Sequence, residues 1–221
     1  MRAAKLASAP PRTLSARTHA MPSETGSTES STSASSEPKR AVVVRKPLRL
    51  AGDRGKPPML ALTWSSFLGS GYFPIAPGTA GTAAAIPLFY VLMLALAPLP
   101  LWPRTLLYAL ATLVVTVTGI LAAERAGKYY GVADSGHIVI DEVAGYLVTM
   151  FMLPWSWPLV LIGFVWFRIC DVLKPWPARF FDRDPRWKNG AGVVLDDVFA
   201  AVWAALLTRG TWELLLRAHL V

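Results

Sequence analysis

The chain has 221 residues, of which 53% are hydrophobic and only 16% are charged, whereas an ordinary soluble domain has about a quarter charged residues. The net charge of +8 is unevenly placed, because residues 1–56 hold 11 Lys or Arg against 4 Asp or Glu, while the remainder holds 11 against 10. The basic balance is therefore poor evidence for nucleic-acid binding. A single cysteine excludes an intramolecular disulfide framework and a cysteine-rich metal site.

Residues 1–57 are predicted to form a disordered basic arm, and residues 58–221 a single helical domain. Ten of the fourteen residues from 23 to 36 are Ser or Thr, and the arm shows no sustained hydrophobic period. Such a segment buries too little apolar surface to offset the entropy lost on ordering it.

The domain contains four apolar runs, at residues 83–97, 105–123, 143–167 and 198–208. A helix that crosses a bilayer needs about 20 apolar residues, and only the second run meets this length cleanly. Pro154 and Pro158 divide the third run, which we expect to form two helices joined by a turn. We predict an all-α fold, a compact membrane-associated helical bundle with several short transmembrane or interfacial helices. The alternative is a soluble bundle with unusually apolar core helices.

Basic residues predict the orientation of these helices, since Lys and Arg are enriched on the cytoplasmic side of membrane spans. If the arm lies inside, alternation of the helices places every charged or glycine-rich loop on that same face. Only short links, Arg104 and the C-terminal segment lie opposite.

The first segment with special chemistry is GSGYFPIAPGTAGT at residues 69–82, just before an apolar run. Glycine lets backbone N–H groups approach an anion, and a helix N-terminus adds a favourable dipole. The segment is therefore a candidate phosphate cradle, although a plain Gly/Pro loop that enters a membrane helix would have the same composition.

Acidic residues concentrate at the ends of the later runs. Asp141 and Glu142 start a helical apolar run near the expected membrane boundary, where ionisable groups suggest function, although acids at a helix N-terminus also favour the dipole. Arg168, Asp171 and Lys174 recur at i, i+3 and i+6 and so share one helix face. Loop acids Asp182 and Asp184 follow, and then Asp196 and Asp197 open the last run. Helix capping would explain one member of that last pair but not both.

Carboxylates gathered from different helices need cations, and magnesium suits them because it prefers a few carboxylates plus waters and phosphate oxygens. The chain has no His/Cys set for zinc. His137 stands alone near the acids and is interpreted as a packing or hydrogen-bonding residue.

At these segments the sequence resembles the phosphatidylglycerophosphatase A family. The resemblance begins at about Leu60 and rests on GSGYFPIAPGTAGT, IVIDEVAGY, FRICDVLKPWP, and FDR followed by GAGVVLDD, in the family's order and spacing. Ile140 and the stretch at residues 190–194 depart from the family pattern without removing a charged group. The resemblance implies a magnesium-dependent hydrolase that removes the terminal phosphate of phosphatidylglycerophosphate, on the cytoplasmic face of the bacterial inner membrane.

Carried onto this chain, the resemblance gives each candidate residue a role. The magnesium ligands are Asp141, Glu142, Asp171, Asp196 and Asp197, with Asp182 a weaker candidate. Arg168 and Lys174 neutralise the phosphate, and Gly78 and Thr79 offer backbone donors. The five carboxylates and Lys174 form the predicted catalytic set, with water as the preferred nucleophile over a phospho-aspartate. The expected partners are the lipid substrate and the membrane, with no nucleic acid, and no oligomeric state is predicted. The alternative function is a small transporter or cation-binding membrane protein that uses the same carboxylates.

Overall fold

A computed structural model describes residues 56–219, and this part of the chain is all-α, as predicted, with no strand. Its helices are α1 (Met59–Ser65), α2 (Pro77–Leu96), α3 (Leu101–Tyr130), α4 (Ile140–Thr149), α5 (Trp157–Leu173), α6 (Ala178–Arg183) and α7 (Gly190–Arg217). Short 3-10 turns lie at Ser70–Tyr72 and Pro185–Trp187. The predicted disordered arm falls almost wholly outside the described residues, so the division at residue 57 stays a prediction.

Three of the helices, α2, α3 and α7, are long and apolar enough to cross a membrane, by length and composition. They contain 20, 30 and 28 residues, and at about 1.5 Å per residue each reaches the thickness of a hydrocarbon core. Large apolar side chains along them face outward, such as Leu106, Leu113 and Leu206. Long outward apolar surfaces of this kind suggest contact with lipid.

The expectation that only the second apolar run was long enough to span is therefore wrong. The first and fourth runs are parts of longer helices, because each helix begins several residues before its apolar stretch. Helix α2 starts at Pro77, since proline is accommodated in the first turn, where its missing N–H is not needed.

The third run is divided as predicted, because α4 ends at Thr149 and α5 begins at Trp157. With ten residues, α4 is about 15 Å long and too short to cross a bilayer. It is instead the central helix, since Ile140, Val143 and Leu147 are fully buried and the helix packs against α2, α3 and α7. Anything at the start of α4 is therefore enclosed by the surrounding helices.

The start of α7 corrects a second expectation. The N-cap is Asn189, whose side chain accepts a hydrogen bond from the Gly192 N–H at 3.0 Å. Asp196 and Asp197 lie in the second turn of the helix and are both buried, so neither is an N-cap. Burial of both carboxylates inside a helix requires an explanation other than capping.

The helices place polar and apolar connections at opposite ends of the bundle. The first turns of α2, α4 and α7 meet the last turn of α5 at one end, as their side-chain contacts show. At the other end, Arg104 lies with Met93 and Phe151 around a cavity of about 180 Å³. This arrangement agrees with the predicted segregation of charged loops from short links.

Candidate metal and phosphate site

Five carboxylates converge at the polar end of the bundle, and they come from three helices far apart in the sequence. They are Asp141 and Glu142 on α4, Asp171 on α5, and Asp196 and Asp197 on α7. Every one of these side chains is at most 13% exposed or buried outright. The structure thus brings together all five predicted metal ligands, in surroundings that exclude most water.

One part of the cluster is organised around Lys174, which stands just after α5 with a left-handed backbone. Its Nζ lies 2.6 Å from Asp196 Oδ2, 3.2 Å from Asp197 Oδ1 and 3.5 Å from Asp171 Oδ1. Burial by itself lowers the pKa of Lys174, but these three carboxylates outweigh burial and raise the pKa above its ordinary value. Lys174 therefore stays protonated and links α5 to α7.

Arg168 joins the other side of the cluster. Its Nη1 lies 2.8 Å from Asp171 Oδ2 and 3.9 Å from Glu142 Oε1, and it donates to Thr82 Oγ1 at 3.5 Å. The predicted stripe on α5 is thus real, and Asp171 sits between the two cations. Because Asp171 holds both Arg168 and Lys174, it positions the positive charges of the site.

A second part of the cluster touches these cations only at its edges: Glu142 lies 3.9 Å from Arg168 and Asp197 3.2 Å from Lys174, while no Lys or Arg of residues 56–219 pairs with Asp141. One oxygen each from Asp141, Glu142 and Asp197 lie within 4.8 Å of one another, and we call these three residues the oxygen triad. Within residues 56–219, the buried atoms Asp141 Oδ1 and Glu142 Oε2 have no hydrogen-bond partner. Buried polar atoms are nearly always paired, so two buried carboxylate oxygens without a protein partner, in a group of three carboxylates, could be satisfied by a bound cation or by protons.

The pKa values of the triad carboxyl groups also favour a bound cation or proton. Burial raises the pKa of Glu142 to about 7. Burial, and then the negative charge of Glu142, raise the pKa of Asp141 well above its usual range. Two cations face five carboxylates here, and the resulting excess of negative charge can be balanced by protons or by a divalent ion. The donor set, all carboxylate oxygens, fits magnesium.

The first turn of α2 closes the site. A Cβ at Gly78 would collide with Glu142 Oε1 and would lie 3.2 Å from Arg168 Nη2, so a larger residue there would displace the Glu142 side chain. The first hydrogen bond of the helix runs from the Ala80 N–H to the Ala76 C=O, which leaves the amides of Gly78 and Thr79 ahead of the helical ladder. These free N–H groups lie at the positive end of a helix beside Arg168, where an anion would be favoured.

Other candidates lie outside the cluster. Asp182, the weaker ligand candidate, has a 42% exposed side chain and lies 3.8 Å from Lys188 Nζ. Asp184 pairs with Arg186 at 2.7 Å. His137 Nδ1 donates a hydrogen bond to the Gly71 carbonyl at 3.2 Å, and its ring stacks on Tyr72, which agrees with its interpretation as a packing or hydrogen-bonding residue.

Two polar residues at the polar end of the bundle were not predicted from the sequence. The Thr82 hydroxyl donates a hydrogen bond to the Gly78 carbonyl at 2.9 Å and accepts one from Arg168. Its i+4 spacing from Gly78 would have placed it on the same helix face as that glycine. Glu124 Oε2 accepts the Gly190 N–H at 2.8 Å and so holds the start of α7 against α3. Nothing in the sequence distinguishes Glu124 from an ordinary acid after an apolar run.

Comparison with known proteins gives consistent matches. The sequence model of the family described as Phosphatidylglycerophosphatase A matches residues 63–212. The chain is 42% identical over 140 residues to Phosphatidylglycerophosphatase A of Escherichia coli strain K12, which covers 62% of this chain and 74% of that protein. The Haemophilus influenzae protein of the same name is 34% identical over 140 residues, covering 63% and 80% of the two chains.

A relative from Bacteroides thetaiotaomicron is 34% identical over 158 residues, covering 69% of this chain and 93% of that protein. It bears a provisional name as a phosphatidylinositol-3-phosphatase, so the similar proteins share a phosphorylated lipid as the named substrate but not one headgroup. No solved structure matches the chain.

Proposed function

The chain belongs to the phosphatidylglycerophosphatase A family, and we propose on that premise that it hydrolyses phosphatidylglycerophosphate to phosphatidylglycerol and inorganic phosphate with the help of magnesium. It is a phosphatase of lipid metabolism, because its named relatives in the family are phosphatases of the phosphatidylglycerol pathway. The alternative of a transporter is set aside, since family membership assigns an enzyme.

The observation that carries the proposal is the oxygen triad with its two orphaned oxygens, placed directly beside two cationic side chains. Asp141, Glu142 and Asp197 are the residues that would hold magnesium. Asp171 contacts both Arg168 and Lys174, and Asp196 lies 2.6 Å from Lys174, so they are weaker candidates than Asp141 and Glu142, which have unpartnered oxygens. Asp197 also contacts Lys174, at 3.2 Å, and is included because one of its oxygens groups with those of Asp141 and Glu142. When bound there, the ion supplies Lewis-acid stabilisation of the charge that develops on the phosphoryl oxygens.

The chain's own groups bind and orient the phosphate. Arg168 can present a planar pair of donors to two phosphate oxygens, and Lys174 adds a point charge on the other side of Asp171. The amides of Gly78 and Thr79 complete the anion site. Water is the proposed nucleophile: its oxygen bonds to phosphorus as the ester P–O bond breaks, one of its protons is transferred to the departing glycerol oxygen, and the other stays on the phosphate.

A lipid reaches this site without leaving the membrane. The site lies at one end of helices that are apolar enough to span, so a headgroup can enter it while the acyl chains stay beside α2, α3 and α7. We propose the cytoplasmic face of the bacterial inner membrane, because basic residues such as Arg125, Lys128 and Arg183 flank this end.

The direct test is phosphate release by the purified full-length protein in mixed micelles that contain phosphatidylglycerophosphate. We expect release with magnesium and a loss of at least about a hundredfold when EDTA removes it. Phosphatidylinositol 3-phosphate in parallel micelles tests the headgroup preference. Undiminished turnover in EDTA would remove magnesium from the mechanism, and faster turnover of the inositol lipid would change the substrate.

Deletion of residues 1–55 is expected to leave the turnover of phosphatidylglycerophosphate within about twofold of the full chain. Every group assigned to the site lies between residues 78 and 197, and the family match begins at residue 63. Steady-state phosphate release by the two proteins in the same micelles measures the effect. A drop of tenfold or more would show that the arm contributes to the catalytic domain.

A further inference from the structure

A basic and aromatic surface lies on α6 and the segments beside it, and the proposed reaction does not use it. Its exposed side chains are Trp176, Arg179, Phe180, Arg183 and Arg186. Together with Asp184 and Pro185 they line an open groove of about 600 Å³. We call this group of residues the α6 surface.

Packing on the opposite side of α6 holds this surface in place. Ala178 is fully buried, and the Phe181 ring stacks on Phe199 of α7 with centroids 4.8 Å apart and planes 8° apart. The Trp203 indole N–H donates to the Trp176 carbonyl at 2.8 Å. The helix therefore presents its arginines outward from a fixed position on α7.

Among residues 56–219, carboxylates balance only part of the positive charge on the α6 surface. Asp184 neutralises Arg186 at 2.7 Å, but within the described residues no carboxylate lies within ion-pair distance of Arg179 or Arg183. Arg179 makes only a 3.4 Å hydrogen bond to the Leu173 carbonyl. Two exposed guanidinium groups therefore remain available for an anion, and arginine binds phosphate through paired donors.

Apolar side chains adjoin these arginines at the end of α5. Val172 is 73% exposed, Leu173 63% and Trp176 77%. Exposed aliphatic groups, tryptophan and arginine side by side are typical of a segment at the boundary between lipid tails and headgroups. An occupant must then carry both a negative group and an apolar part, which a free phosphate does not.

We propose that the α6 surface binds the headgroup of an anionic phospholipid, with Arg179 and Arg183 on its phosphate and Trp176 beside the start of its acyl chains. This is a second lipid site, separate from the oxygen triad and its two cations. It rests on the membrane placement proposed above, but it does not depend on the phosphatase reaction.

The test measures lipid binding directly, on the full-length protein in detergent micelles. Native mass spectrometry counts bound phosphatidylserine, which is anionic but is neither substrate nor product, and phosphatidylcholine as the neutral reference. In Arg179→Gln/Arg183→Gln we expect phosphatidylserine binding about 30-fold weaker, with phosphatidylcholine unchanged. Arg179→Lys/Arg183→Lys should retain most of the binding.

The matched control is Arg104→Gln/Arg217→Gln, which removes the same charge at the opposite end of the bundle and should change phosphatidylserine binding less than twofold. Equal loss in the control, or unchanged binding in the α6 variant, would overturn the proposal. So would displacement of the lipid by millimolar inorganic phosphate, which indicates a free-anion site. A dimer lost only in the α6 variant, seen by light scattering, would make the surface a protein interface instead.

Phosphate release by the same variants is measured separately. Because lipid binding is read without turnover, failure of the proposed reaction would leave the binding result intact, and failure of lipid binding would leave the assignment of the reaction untouched.

Discussion

Asp141→Asn is expected to reduce turnover by at least about a thousandfold while the protein stays folded. Asp141 Oδ1 is one of the two orphaned oxygens, and the amide that replaces the carboxylate is neutral and a poor ligand for magnesium. The shape of the side chain is kept, so the helices around α4 need not move. Burial and the neighbouring Glu142 already disfavour the charged form of Asp141, so a neutral amide in its place should not destabilise the protein in the absence of metal.

Thermal unfolding in detergent separates these effects. Wild type should gain stability on addition of magnesium, by about 2.7 kcal/mol at a hundredfold excess over Kd, whereas Asp141→Asn should show little response. Without metal, the variant should unfold at the same temperature as wild type or higher. The control is Asp184→Asn, since that carboxylate pairs with Arg186 outside the cluster. Normal turnover in Asp141→Asn would eliminate the oxygen triad as the catalytic centre.

The helices could be predicted from the sequence because their apolar runs are long and prolines mark where they are interrupted. The uncharged run at residues 105–123 lies wholly inside α3, and Pro154 and Pro158 fall where α4 and α5 separate. Run length and proline position were enough here, because a long uncharged run in a membrane favours a helix, which satisfies its own backbone hydrogen bonds.

The helix starts were not predictable in the same way. Residues 190–192 read as a glycine-rich loop, yet they form the first turn of α7 because Asn189 caps it and Glu124 of α3 holds the Gly190 amide. Both stabilising contacts depend on tertiary packing or on cap geometry, which a count of apolar residues does not detect. The mistaken expectation that one of Asp196 and Asp197 caps the helix followed from this boundary.

The membership of the acidic cluster was predictable, but its internal division was not. Acids at the ends of apolar runs on one face were expected to gather, and the family resemblance selected these five, whereas Asp182 and Asp184 on the same face lie outside the cluster. Which of them Lys174 would neutralise depends on the register of α5 against α7. That register places Lys174 nearest to Asp196 and leaves Asp141 without a Lys or Arg partner among the described residues, and it is a property of side-chain packing between distant segments.

Gly192→Ala is expected to be the most damaging substitution outside the cluster. The glycine lies in the first turn of α7, where its N–H binds the Asn189 cap, and a Cβ there would collide with the backbone carbonyl oxygen of Trp187. A backbone atom cannot rotate away as a side chain can, so the cap or the turn must shift. We expect a loss of about 2–4 kcal/mol in the free energy of unfolding, from overpacking together with a weakened cap.

The same shift should reduce catalysis, because the second turn of α7 carries Asp196 and Asp197 and is positioned by the first. Gly210→Ala is the matched control: it lies in the same helix, is exposed, and has no heavy atom within 4 Å of an added Cβ. Since alanine favours a helix over glycine, the control should be neutral or more stable by up to about 1 kcal/mol. Thermal unfolding and phosphate release are compared in one detergent. Equal stability of Gly192→Ala and Gly210→Ala would mean that the first turn of α7 deforms at little cost in free energy. A turn that deforms so easily could not fix the positions of the two buried carboxylates beside Lys174.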